Sequence, residues 1–171
     1  MFSNSQIDIN SIPSLQEVSL NRISNQYLKI ILINKLTFFG IFYSILFAGK
    51  WFIDDDEFQN VIPYALLILT IIFVMNIVIS VLAFKKRKYA LRERDIIYSK
   101  GLIVNSTTTV PIKRIQHIEE VRSWLARQFG LATLKIFTAG ESGSDLSIQG
   151  LPAKEAKRIH DYISERVNEN L

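Results

Sequence analysis

Twenty-four consecutive residues, Val61 to Phe84, carry no charge, and the four that follow, Lys85, Lys86, Arg87 and Lys88, are all basic. As a helix at about 1.5 Å per residue such a run reaches roughly 36 Å, and a bilayer core of about 30 Å needs only about 20 residues. The competing reading is a core helix of a large soluble domain. Fewer than ninety residues follow the run, too few to wrap it on all sides. It is therefore read as a membrane-spanning helix, with Pro63 in its first turn, where a missing N–H breaks no helical bond. Asn76, the one strongly hydrogen-bonding side chain deep in the run, is expected to face another helix that satisfies its amide.

The segment Tyr27 to Ile53 is interrupted by Lys29, Asn34, Lys35 and Lys50, and its uninterrupted part, Leu36 to Gly49, is 14 residues long. Lysines at its ends can lift their ammonium groups to the interface and lengthen the usable span, with Trp51 and Phe52 at the level of an aromatic belt. Apolar residues cover every face rather than one stripe, which favours a second span over a helix lying on the surface. The pattern predicts helices over about 28–53 and 61–84, joined by a tight return through Asp54 to Asn60. The chain then divides into an N-terminal segment 1–26, a transmembrane hairpin 27–84 and a cytoplasmic domain 85–171.

Charge orients the hairpin. Up to Phe84 there are four bases against six acids, and from Lys85 onward 16 bases against 10 acids, so the overall +4 hides two different halves. Arg22, Lys29, Lys35 and the KKRK run flank the outer ends of the spans, whereas the connecting loop has Lys50 against four acids. The positive-inside rule then puts both termini in the cytoplasm. No basic n-region followed by an apolar core is seen in the first residues, so the first span is expected to act as its own insertion signal. Lys85, Lys86, Arg87 and Lys88 are read as a surface anchor, each worth about 1 kcal/mol near an anionic leaflet. Two readings stay open: the cluster sets topology alone, or it also helps select a headgroup.

Beyond Lys88 the apolar pattern shortens. Strands are expected at Tyr89 to Glu93 and Asp95 to Tyr98, then, after a break at Gly101, around Leu102, Ile103 and Val104. Val110, Ile112, Ile115 and Ile118 form one apolar set only if the phase shifts near Arg114, which predicts a bend or bulge there. Pro111 cannot donate to a ladder, so its strand should lie on an edge or bend. Ser123 to Gly130 reads as a short helix with Ser123 as N-cap and Gly130 as the stop. Strands follow around Leu134 to Thr138 and Leu146 to Ile148. After Pro152 a helix carries Ala156, Ile159, His160, Ile163 and Val167 on one face, and Lys157 can pair with Asp161 one turn on.

The ordered residues Arg92, Arg94, Asp95 and Gly101, then Pro111, Arg114, Ile115 and Gln116, then Leu125, Arg127, Phe129, Gly130, Leu131, Ala132, Thr138, Ala139 and Gly140, resemble the bacterial pleckstrin-homology domain of YdbS-like membrane proteins. The two-helix hairpin and the leader PSLQEV are similar to that family as well, so the likeness covers nearly the whole chain. The poorly basic stretch Asn105 to Thr109 departs from it. The resemblance implies an α+β pleckstrin-like domain, a bent β-barrel of two sheets capped by the C-terminal helix, in a multi-pass protein of the bacterial plasma membrane. It implies no catalysis and no cofactor. Pro111, Ile115, Gln116, Phe129, Gly130, Thr138 and Gly140 are motif positions read as structural. Arg114 and Arg127 are read as pairing with Asp95 or Glu119 to set register, against a ligand role.

Reactive chemistry is hard to place. With no cysteine and only two histidines, His117 and His160, thiolate and zinc-knuckle sites are excluded and an all-protein transition-metal site is not expected. Glu119 and Glu120 are adjacent, so on a strand they point to opposite faces. Two functions remain. One is a membrane-tethered adaptor whose barrel binds another protein, itself or a relative with tandem copies of the domain. The other is recognition of anionic headgroups by Arg92, Arg94, Lys113, Arg114, Arg122 and Arg127 facing the bilayer with the KKRK run. Nucleic acid is not an expected partner, because a tethered domain without exposed aromatics offers no stacking platform.

Overall fold

In a computed structural model of the chain, residues 18–138 and 146–168 are described. A short strand β1 (Asn21–Arg22) precedes α1 (Gln26–Phe52) and α2 (Asp56–Lys85). Three strands follow, β2 (Lys88–Leu91), β3 (Asp95–Lys100) and β4 (Ser106–Pro111), and a 3-10 turn at Ile112–Arg114 leads into β5 (Ile115–Val121). The chain continues through α3 (Trp124–Gln128), β6 (Leu131–Thr138), β7 (Leu146–Pro152) and α4 (Ala153–Asn168).

The two long helices form an antiparallel pair whose return is shorter than the charge pattern suggests. The second helix begins at Asp56 rather than Val61 because Asp55 caps it, its carboxylate accepting from the Phe58 amide at 2.9 Å. Gln59 then donates to the carbonyls of Lys50 and Ile53, each at 2.7 Å, supplying partners for the last carbonyls of α1. Pro63 consequently lies inside α2, not in its first turn, and the Gln59 carbonyl loses the amide donor a helix normally gives it. Across the pair Tyr43 and Thr70 share a hydrogen bond of 2.8 Å and the Phe39 and Phe73 rings meet at a tilt of 55°, with centroids 5.0 Å apart. Asn76 departs from expectation: its amide oxygen is shut away from solvent and has no hydrogen-bond partner.

The remaining strands make two antiparallel sheets, β1-β2-β3-β4 and β5-β6-β7. Their apolar faces meet in one core that includes Ile96, Tyr98, Val110, Leu134, Ile136, Ile148 and Leu151. Helix α4 closes it with Ala156, Ile159 and Ile163, the stripe read from its spacing. Asp161 pairs with His160 at 3.2 Å rather than with Lys157. The phase shift near Arg114 is the 3-10 turn, followed by a register shift between Ile115 and His117. Pro111 ends β4, the outer strand of its sheet. Ser123 caps α3 by accepting from the Ala126 amide at 3.3 Å, and Gly130, at φ +64, ends that helix.

One expected strand is a turn. Lys100 faces Ser106 in the ladder, so Gly101 to Asn105 reverse the chain, and Leu102, Ile103 and Val104 belong to no strand. Gly101 makes the reversal possible: its φ is +117, and a Cβ there would stand 1.9 Å from the Val104 carbonyl oxygen.

Candidate functional site

The hairpin and the two-sheet domain are joined by packing as well as by peptide bonds. Strand β1 pairs with β2, Asn21 opposite Tyr89 and Arg22 opposite Lys88, and Ile23 is buried in the domain's core. The Ser24 amide donates to the Gly150 carbonyl at 2.9 Å. Gly150, at φ +79, lies so close to α1 that a Cβ would meet the Tyr27 ring at 2.4 Å. The Tyr27 hydroxyl donates to Gln149 at 2.6 Å, and Ile30 one turn further packs with Ala126 and Leu131. From the other helix, Phe84 enters the main core. The N-terminal segment is thus partly a component of the domain that follows the hairpin.

This joint takes one member of the basic run for itself. Arg87 is half-buried, its guanidinium 5.7 Å from the centre of the Tyr27 ring and 3.4 Å from Gln149. Lys88 opens β2 and is half-buried too, which leaves Lys85 and Lys86 as the exposed pair at the end of α2. The run reads as four equivalent charges in the sequence, and the fold divides it into two that face out and two that belong to the barrel's base.

Strand register sorts the other candidates by position. Lys88 stands opposite Ser99, and Leu91 opposite Ile96, so β2 leads away from the helices and the turn Arg92 to Arg94 lies at the far end. Pro111 pairs with Asp95, and the Ile112 amide donates to the Arg94 carbonyl at 2.9 Å, which brings Lys113 and Arg114 beside that same far turn. Arg92, Arg94, Lys113 and Arg114 therefore gather about one strand length, roughly 17 Å, from the Lys88 end. Arg122 and Arg127 flank and occupy α3, which packs against α1 through Ala126 and Ile30. The six do not form one face with Lys85 and Lys86.

Charge pairing differs from the sequence reading in the same way. Asp95 is held by Arg92 through a two-pronged contact, Nε to Oδ1 at 2.6 Å, so it is not the partner of Arg114 or Arg127. That bond raises the Arg92 pKa further. Glu119 faces His117 at 3.4 Å, and Glu120 pairs with Arg122 at 2.5 Å. Ile115 is buried, Gln116 is exposed at the register shift, Phe129 packs beside Ile30, and Thr138 ends β6. Gly140 lies outside the described residues.

Two features escaped sequence reasoning. His117 and His160, forty-three positions apart, line one groove of about 270 Å³ between β5 and α4, together with Gln116, Ile118, Ser164 and Val167. Tyr89 is buried with its hydroxyl bonded to Glu155 of α4; burial, and then that bond, push its phenol well above the usual range. Tyr98 is raised as well, chiefly by burial, with Arg87 acting in the opposite direction. Tyr89 thereby ties the first sheet to α4, and Tyr98 lies in the core between the sheets.

A hairpin of apolar helices rooted in a two-sheet barrel with a C-terminal lid is the architecture of a membrane protein carrying a PH-like domain. The chain belongs to the bacterial PH domain family, whose profile matches residues 31–167. It is similar to the UPF0699 transmembrane protein YdbS of Bacillus subtilis, 35% identical over 77 residues, which is 45% of this chain and 46% of that protein. The aligned stretch thus spans about half the length of the relative. No solved structure matches.

Proposed function

We propose that the chain is a non-catalytic adaptor that assembles with a second copy of itself, or with a relative bearing tandem copies of the domain, at the inner leaflet of the bacterial plasma membrane. The observation that carries this is β4. It is the outer strand of the four-stranded sheet, and the unpaired side of such a strand offers a row of backbone donors and acceptors that another chain's strand can join. Thr107 and Thr109 on it are exposed, and only Pro111 at its end interrupts pairing. Orientation is supported by two facts together. Both helices meet the barrel at its Lys88 end, which supports a hairpin return and a barrel on opposite sides of the membrane, and the basic residues flank the barrel side.

Crosslinking of the full-length protein in mild detergent tests the reading. A crosslinked dimer or a co-purifying membrane partner, lost on Thr107→Lys with Thr109→Lys, is expected; an isolated monomer would overturn it.

A second reading, recognition of anionic headgroups, has support from Lys85, Lys86 and Arg127, which are exposed near the helix roots. Full-length protein in vesicles decides it. Binding of a soluble inositol phosphate or glycerophosphate that persists at moderate salt favours a pocket, whereas attraction that vanishes with salt is general surface charge.

A further inference from the structure

The turn between β3 and β4 carries two aliphatic side chains that nothing in the described chain covers. Ile103 is 92% exposed and Val104 77%, values matched among the described large hydrophobics only by Trp51 at 79% and Phe52 at 83%, at the return of the hairpin. One such pair sits where the helices leave the bilayer on the far side. The other sits on the barrel, in a domain whose other isoleucines are all buried.

Register shows which way the pair points. Arg22 stands opposite Lys88, α1 begins four residues after Arg22, and α2 ends three residues before Lys88, so both helices leave from that end of the sheet. Strand β3 returns toward it, with Ser99 opposite Lys88. Gly101 to Asn105 therefore project from the end of the sheet that faces the membrane, while Arg92 to Arg94 project from the opposite one. The turn is also a built feature: Gly101 holds a left-handed conformation in close contact with the Val104 carbonyl, and the Lys100–Ser106 pair closes its neck. Its surroundings are cationic. Lys100, Lys85 and Lys86 are exposed, and no Asp or Glu occurs between Asp95 and Glu119.

We propose that the Ile103–Val104 tip is seated in the interfacial layer of the bilayer that the hairpin crosses, as a third point of attachment beside the two helix roots. The layer has the chemistry this tip needs, with anionic headgroups for the lysines and acyl chain just beneath for two β-branched side chains. A third point turns a barrel hung from one side into one with a fixed tilt. That tilt decides how the outer edge of β4, which begins immediately after the tip, is presented to a neighbour.

The chain contains no cysteine, so single-cysteine labelling needs no background changes. Ile103→Cys, Val104→Cys and, as the far-end reference, Glu93→Cys are each made in the full-length protein. An environment-sensitive fluorophore is attached, and the protein is reconstituted in vesicles of mixed phosphatidylcholine and phosphatidylglycerol. All three positions are exposed, and thermal unfolding beside the unlabelled protein checks that the barrel is intact. The expected result is blue-shifted emission at 103 and 104, quenched several-fold more by nitroxides on the acyl chains than at 93, and protected from aqueous iodide. Iodide quenching at 103 equal to that at 93, without acyl-chain quenching, would overturn the proposal. So would protection that disappears as the protein is diluted into more lipid, since the tip would then be covered by a second copy.

Discussion

The hairpin and the barrel hold similar side chains in opposite arrangements. In α2 none of the most apolar window is buried, and Ile68, Ile71, Ile72, Val74 and Val78 all face outward. In the barrel Ile96, Ile97, Leu134, Ile136, Ile148 and Leu151 are fully enclosed. Both regions are rich in isoleucine, leucine and valine, and the solvent decides which way these side chains face. Lipid replaces the core for the helices, and interhelical contact is left to a few pairs such as Phe39 with Phe73. Water forces the barrel to hide the same groups behind two sheets and a lid. Tyr27, Ile30, Phe84 and Arg87 lie where the two regimes meet, and they tie hairpin to barrel.

The largest effect should come from reversing that logic inside the barrel. Leu134→Ala is expected to cost about 2–5 kcal/mol of barrel stability, followed by chemical denaturation in detergent, while Ile72→Ala on the exposed face of α2 leaves the same transition unmoved. An equal cost at Ile72 would mean that this face is packed against protein rather than lipid.

The joint is next. Gly150→Ala forces a methyl group into the Tyr27 ring from a left-handed backbone, at a cost of about 1–3 kcal/mol. Adding Tyr27→Ala removes the clash but not the backbone strain, so recovery should be partial. Full recovery would show that the joint tolerates a shift of α1.

A smaller effect, with a pH signature, is expected at Tyr89. Burial holds its phenol above the ordinary value of 10.0, so the folded protein keeps that proton more tightly than the unfolded chain does. The stabilisation is complete below about pH 10 and is lost as pH rises beyond it toward the folded value. Tyr89→Phe also removes the bond to Glu155, costing about 1 kcal/mol at neutral pH. It should flatten the alkaline limb of a stability profile measured in detergent. The smallest effect should be at the far turn, where Arg92→Ala breaks an exposed, solvent-screened pair and leaves the thermal midpoint nearly unmoved.

Much of the barrel was legible because its signals are local. Ser123 and Gly130 mark the ends of a helix by the side-chain oxygen and the missing Cβ they supply. Pro111 marks an edge by the amide it lacks, and the α4 stripe is set by helical spacing. The triplet Leu102 to Val104 misled for the opposite reason. Strand propensity expects aliphatic residues to be paired, and nothing local reports that the ladder has already closed at Lys100 and Ser106. The start of α2 was misplaced because the acids of the return look like a loop, while Asp55 acts as a cap.

What the sequence alone determined is the division into an apolar helical hairpin long enough to cross a membrane and a charged domain of short strands, since the uncharged run ends at Phe84 and the apolar period changes after it. The tertiary structure alone decided which charges share a face. It drew Arg87 into the joint with Tyr27 and Gln149, sent Arg94, Lys113 and Arg114 to the far end, and turned Ile103 and Val104 toward the helix roots. Those placements depend on ladder register and on contacts between residues more than a hundred positions apart, such as Tyr27 and Gln149, and no local pattern encodes them.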